Sequence, residues 1–177
     1  QQADAFTVSE RLAGLVKRTP VAGNTMDAAF APITNGEGLI TTSLGRQLYQ
    51  VAKMIEGNVT VQGDRQLFFV QQGGFDTHAN QIATNALDGE HARLLKSVGD
   101  ALSCFYNATK ALNMSDAVTL FTQSDFGRTL KTNNSNGTDH AWGNHHFVLG
   151  GSVRGGQFYG RYPQLVLGGP DDAGEQS

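Results

Sequence analysis

Apolar residues recur along this chain at two periods, one helical and one suited to buried strands. Leu12, Leu15 and Val16 fall at helical spacing behind Ser9, a capping residue, and predict a short helix over 6–19. Residues 20–41 are punctuated by Gly, Pro and Asn and predict irregular chain. Thr42 or Ser43 then caps a second helix with the stripe Leu44, Leu48, Val51, Ala52 and Ile55, stopped by Gly57-Asn58. Leu67-Phe68-Phe69-Val70 is a compact apolar run of the kind found in strands buried on both faces. From about Gly89 to Asn113, Leu94, Leu95, Val98, Ala101, Leu102, Phe105 and Leu112 form one stripe on a long helix. Residues 117–122 predict a second buried strand, with shorter candidates at 147–149 and 165–167.

Strand, long helix, strand is the order of a parallel crossover unit. It predicts an α/β fold with a mostly parallel central sheet flanked by helices, in a single domain over 1–177. In such sheets ligands bind outside the carboxyl ends of the strands. The first predicted strand runs into Gly73-Gly74-Phe75-Asp76-Thr77-His78, and the second into Ser124-Asp125-Phe126-Gly127-Arg128. Asp76, His78, Asp125 and Arg128 are therefore expected at one rim.

A third segment bears on the same rim. Gly137-Thr138-Asp139-His140-Ala141-Trp142-Gly143-Asn144-His145-His146 follows an Asn-rich loop and holds three of the five histidines. Carboxylates and imidazoles bind divalent cations and move protons near neutral pH. In an extended chain His145 and His146 face opposite ways, so one of them at most addresses a given site. Each motif also has a plainer reading. Asp76-Thr77-His78 can be an Asx-turn with a solvated histidine, and Asp125 a helix cap or Arg128's partner. Trp142 is expected to pack its loop, and His91 to sit satisfied on the apolar stripe of the long helix.

Composition narrows the classes. With 39% hydrophobic residues, 16% charged residues and a net charge of −3, nothing favours nucleic acid or an acidic membrane surface. No apolar run approaches the roughly 20 residues needed to span a bilayer. The single cysteine, Cys104, lies among apolar neighbours and is expected to be an inert buried thiol. A chain opening Gln-Gln-Ala-Asp is expected to be a mature, processed or incomplete product.

The run from Leu67 to His78, the block Thr122 to Thr129, the segment Gly137 to Gly151 and the tail Tyr162-Pro163 through Gly168-Gly169-Pro170-Asp171-Asp172 together resemble the bacterial family called domain of unknown function 1501. The resemblance runs from about Leu39 onward. It implies an alkaline phosphatase-like and sulfatase-like fold, of which this chain would be the C-terminal-half portion, the remainder of the domain lying outside it. It further implies export by a twin-arginine signal to the periplasm, and a two-metal site for zinc, manganese or calcium. By position, Asp76 and His78 correspond to one ligand motif, Asp125 to the aspartate of an Asp-His-Gly motif, and Asp139 with His140 or His145 to the last. The implied activity is hydrolysis of phosphate or sulfate esters, small molecules or anionic polymers; Arg128, whose guanidinium can fork onto a carboxylate or an oxyanion, is the candidate catalytic residue. The alternative is an inactive cell-envelope binding or structural module. Phe126 stands where that superfamily has a metal-binding histidine, and residues 1–65 show no nucleophile motif. The second metal site is accordingly completed by another residue such as His140, or there is one metal, or none.

Overall fold

The structure is a computed structural model of the chain, and describes residues 13–14, 17–20, 23–58 and 65–172. It falls into two compact units, one of residues 1–72 with 97–115 and one of residues 73–96 with 116–177. Most of the helix expected over 6–19, with Ser9, lies outside the described residues.

The first unit is helical. Helix α1 (Thr25–Ala28) is capped by the Asn24 side chain, which accepts from Asp27 N. A 3-10 turn (Ala31–Ile33) and a bridge between Thr34 and Ile40 then organise the segment expected to be irregular. Helix α2 (Ser43–Glu56) begins where its sequence says it should, with Thr42 Oγ1 accepting from Gly45 N at 3.1 Å. Its stripe buries Leu44, Leu48, Tyr49, Ala52 and Ile55, alongside Met26, Phe30, Ile33 and Ile40. Helix α3 (Glu90–Ala111) adds buried Ala101, Cys104, Phe105 and Ala108 to this unit from its C-terminal part.

The second unit holds the strands: β1 (Thr119–Phe121), β2 (Gly127–Thr132), β3 (Thr138–Ala141) and β4 (Val148–Gly150). They make two sheets of two strands each, and both pairings are antiparallel. The expected mostly parallel central sheet flanked by helices, and with it the alkaline phosphatase-like α/β architecture, is therefore incorrect. Two physical reasons stand out. The partner of β1 is β4, reached across the β2–β3 hairpin, so the strand that precedes the long helix is not its neighbour. And Leu67–Val70 joins no ladder among the described residues: Leu67 is 93% and Phe69 87% exposed, so an apolar run that reads as buried is largely exposed. The expected strand at 165–167 is likewise extended and exposed. Apolar content reports a tendency to be covered, and carries no information about what does the covering.

Buried apolar side chains are scarce in this second unit. Among the described residues Leu94 and Ala141 are buried there, beside the buried hydroxyls of Thr77, Thr129 and Thr138. Hydrogen bonds more than apolar contacts fix its local geometry. Among the described residues no helix is long and apolar enough to cross a membrane.

Candidate metal centre

The β2–β3 hairpin and the turn before α3 build one polar cluster. The hairpin loop is organised by Asn133, whose Oδ1 accepts from Ser135 N at 2.9 Å and Gly137 N at 3.1 Å. This is the local side chain-to-backbone bonding that makes asparagine a turn former. Residues 77–81 dock along that loop through Asn80 N to Ser135 O, Gln81 N to Asn136 O and Thr138 N to Thr77 O. Gly137 lets them come this close, since a methyl group there would overlap the His78 carbonyl. Gln81 Oε1 accepts from both Thr77 Oγ1 (3.1 Å) and Thr138 Oγ1 (2.7 Å), tying turn to strand.

The docking brings Asp76, His78 and His140 together. Asp76 Oδ1 lies 2.8 Å from His78 Nε2 and 2.7 Å from His140 Nε2, and one ligand atom of each residue lies within 4.8 Å of the others. All three side chains are about half exposed. The rings of His78 and His140 stack with centroids 4.9 Å apart, and Phe126 stacks on His140 at 4.3 Å and 10°. Hydrogen bonding from His140, then from Arg128, together with the nearby imidazoles, holds the Asp76 carboxyl below its ordinary value despite some desolvation.

Arg128 joins the cluster through its whole fork. Nη1 donates to Asp76 Oδ1 at 3.1 Å, Nε to Thr138 Oγ1 at 3.0 Å, and Nη2 to the Thr138 carbonyl. Its guanidinium also lies over the Phe126 ring, 5.6 Å from the centroid. Asp139 takes a different place: its Oδ1 is 2.9 Å from His78 Nδ1 and accepts from Asn133 Nδ2 at 3.2 Å, outside the three-residue ligand set. Those two hydrogen bonds, the His78 one the larger, hold its carboxyl low.

Two expected ligands lie elsewhere. Asp125 is exposed in the bend ahead of β2 and lies outside the three-residue ligand set. His145 is in the exposed β3–β4 connection, its ring stacked on Tyr162 at 4.9 Å. Trp142 is 80% exposed and does not pack its loop. His91 sits edge-on to Phe75, and its Nδ1 is buried without a hydrogen-bond partner among the described residues, so it is not the satisfied core histidine expected. Burial, then Arg128, pushes the His91 imidazole below its ordinary value. Asn133, Phe126, Thr138 and Gln81 were not singled out from sequence as parts of a site. Asn133 had a visible signal, as the first residue of an Asn-rich turn; Gln81 had none.

A carboxylate oxygen and two imidazole nitrogens converging at an exposed place form a donor set for a transition-metal cation, with room left for further ligands. Such a constellation, set on a turn and a hairpin, defines a small polar centre in a family whose chemistry has yet to be assigned. The chain belongs to that family, described as protein of unknown function (DUF1501), whose family model matches residues 5–169. Comparison with curated proteins and with solved structures finds no match.

Proposed function

We propose that this DUF1501 chain binds a divalent cation through Asp76, His78 and His140 and serves in hydrolysis of phosphate or sulfate esters. The observation that carries the cation half is the convergence of those three ligand atoms within 4.8 Å. The ester-hydrolase half, and export to the periplasm, rest on the resemblance of the motifs. Two imidazoles in the set favour zinc over calcium, which takes oxygen ligands. Three ligands are enough for one cation; Asp125 and His145 stand apart from them, so one ion rather than two fits the residues.

When bound, the cation supplies Lewis acidity toward a phosphoryl or sulfuryl oxygen. The chain's own residues do the rest. Arg128 holds the Asp76 carboxylate in place and offsets its charge, with all three guanidinium nitrogens engaged. Phe126 braces the His140 ring face to face. The half-exposed ligands leave the centre open to a small ester or to an anionic polymer. A second reading, a non-catalytic envelope module, is favoured by Phe126, an apolar ring standing where a ligand was expected.

The test is zinc titration of the chain by calorimetry, followed by turnover of aryl phosphate and aryl sulfate esters with zinc supplied. One zinc per chain is expected, lost in Asp76→Ala and His140→Ala. A wild-type chain that takes up no zinc, manganese or iron sinks the metal reading. Uptake without turnover of any ester leaves the envelope module as the better account.

A further inference from the structure

The cluster is layered: three groups converge on one place, and further polar groups pack around them. His78 is where the layering is sharpest. Its Nε2 faces Asp76 and the convergence point, while its Nδ1 lies 2.9 Å from Asp139 Oδ1. Asp139 itself lies outside the ligand set. It is also held from behind, since Asn133 Nδ2 donates to Asp139 Oδ1 at 3.2 Å and to the His78 carbonyl at 2.8 Å. Its backbone N donates to Thr129 Oγ1 at 3.0 Å, which fixes the residue within the hairpin. One asparagine thus grips both the imidazole's own backbone and the carboxylate behind the ring.

We infer that Asp139 is a positioning residue for His78 and not a ligand, orienting the imidazole and favouring the tautomer whose Nε2 lone pair a cation would take from beside Asp76. The inference rests on the cation reading of Asp76, His78 and His140. An imidazole whose Nδ1–H donates to a carboxylate has its lone pair on Nε2, and the carboxylate raises the basicity of that nitrogen. Asn133 completes the device by holding Asp139 where the ring can reach it. No other ligand has this support: Arg128 braces Asp76, and a hydrocarbon ring braces His140. His78 is therefore the imidazole of the set whose outer nitrogen meets a carboxylate.

Zinc calorimetry and cobalt(II) absorption on the whole chain test this. Asp139→Ala is expected to weaken zinc binding about 10–100-fold, as loss of an outer partner does. Asp139→Asn, which keeps an acceptor oxygen without the charge, is expected to fall between it and wild type. Because the Asp139 side chain is 58% exposed, the melting temperature of the zinc-free chain is expected to stay at the wild-type value in both. The cobalt(II) band intensity, which reports ligand number, is expected to be the same in wild type and Asp139→Ala. Unchanged zinc affinity in Asp139→Ala overturns the inference, as does a cobalt spectrum showing one ligand fewer. Failure of the underlying site is seen separately, as a wild-type chain that binds neither ion.

Discussion

Each unit of this protein centres a charge cluster on one aspartate, and the two clusters serve opposite ends. In the helical unit Asp27 is 3% exposed; its Oδ1 accepts from Arg18 Nη2 at 2.9 Å and from Tyr49 Oη at 2.8 Å. Lys53, fully buried, donates to the Arg18 carbonyl at 2.8 Å, and Arg18 also pairs with Glu56 at 2.8 Å. In the second unit Asp76 Oδ1 likewise meets an arginine and two further donors, but its side chain is 57% exposed. The difference lies in burial and in the donors. Arginine and tyrosine surrounding a buried carboxylate give it nothing to exchange, so that network can only hold helices together. Two imidazoles around an exposed carboxylate can give up their contacts to a cation. Similar hubs, then, differ in what they could bind according to burial and donor chemistry.

The comparison breaks most visibly if Asp27 proves dispensable. Removing one partner of a buried ion pair leaves the other uncompensated, at a cost of about 3–5 kcal/mol. Asp27→Ala is accordingly expected to lower the melting temperature by about 6–20 °C, given about 2–4 °C per kcal/mol at this size. Asp76→Ala, at an exposed place, is expected to lower it by far less while removing zinc binding. Thermal melts of the two zinc-free variants side by side decide the matter. Equal losses would show that burial does not separate the clusters.

A sharper probe is Gly137→Ala, whose added methyl would overlap the His78 carbonyl. Overpacking of this kind costs about 1–3 kcal/mol. Here it is expected to be relieved by moving the 77–81 segment off the hairpin loop, which separates Asp76 and His78 from His140. Zinc affinity should fall steeply while the far-ultraviolet circular dichroism, dominated by α2 and α3, stays as it was. Retention of wild-type zinc affinity would mean that docking of the turn on the loop does not assemble the centre.

The same contrast explains what could be read from the chain beforehand. Helix α2 was legible because cap, stripe and stop all agree: Thr42, the Leu44–Ile55 face and Gly57 are local signals of a local structure. The long helix was legible for the same reason. Sheet topology was not, because pairing joins β1 to a strand some 25 residues away in sequence, and no local period says which partner or direction is chosen. Asp76, His78 and His140, which the structure brings together, could be named as candidates because their chemistry is visible in side-chain type. Asp125 and His145 shared that type but not the geometry: Asp125 sits in an exposed bend ahead of β2, and His145 stacks on Tyr162. The β2–β3 hairpin that carries Arg128, Asp139 and His140 was hidden because its residues are mostly polar, Gly-Arg-Thr-Leu-Lys-Thr and Thr-Asp-His-Ala, and lack an apolar run.

The smallest effects, and the finest separation, come from pH, because the two clusters lose stability at opposite ends of the scale. Burial, followed by the hydrogen bond and charge of Asp27, outweighs Arg18 and raises the Tyr49 phenol from 10.0 to about 12. A raised pKa means the folded chain holds the proton more tightly than the unfolded one. That contribution is complete below pH 10 and is lost as pH climbs toward about 12. Asp76 and Asp139 are shifted the other way, below 3.8, so the folded chain binds their protons less tightly. Their contribution is present above about 3.8, is lost as pH falls through the lowered values, and is slight because both are exposed. Absorbance at 295 nm should therefore show a late-titrating phenol among the four tyrosines, absent in Tyr49→Phe. Melts between pH 9 and 12 should lose their steep alkaline decline in that variant and keep it in Asp139→Asn. A decline of equal steepness in Tyr49→Phe would show that the Tyr49 phenol does not carry the alkaline sensitivity.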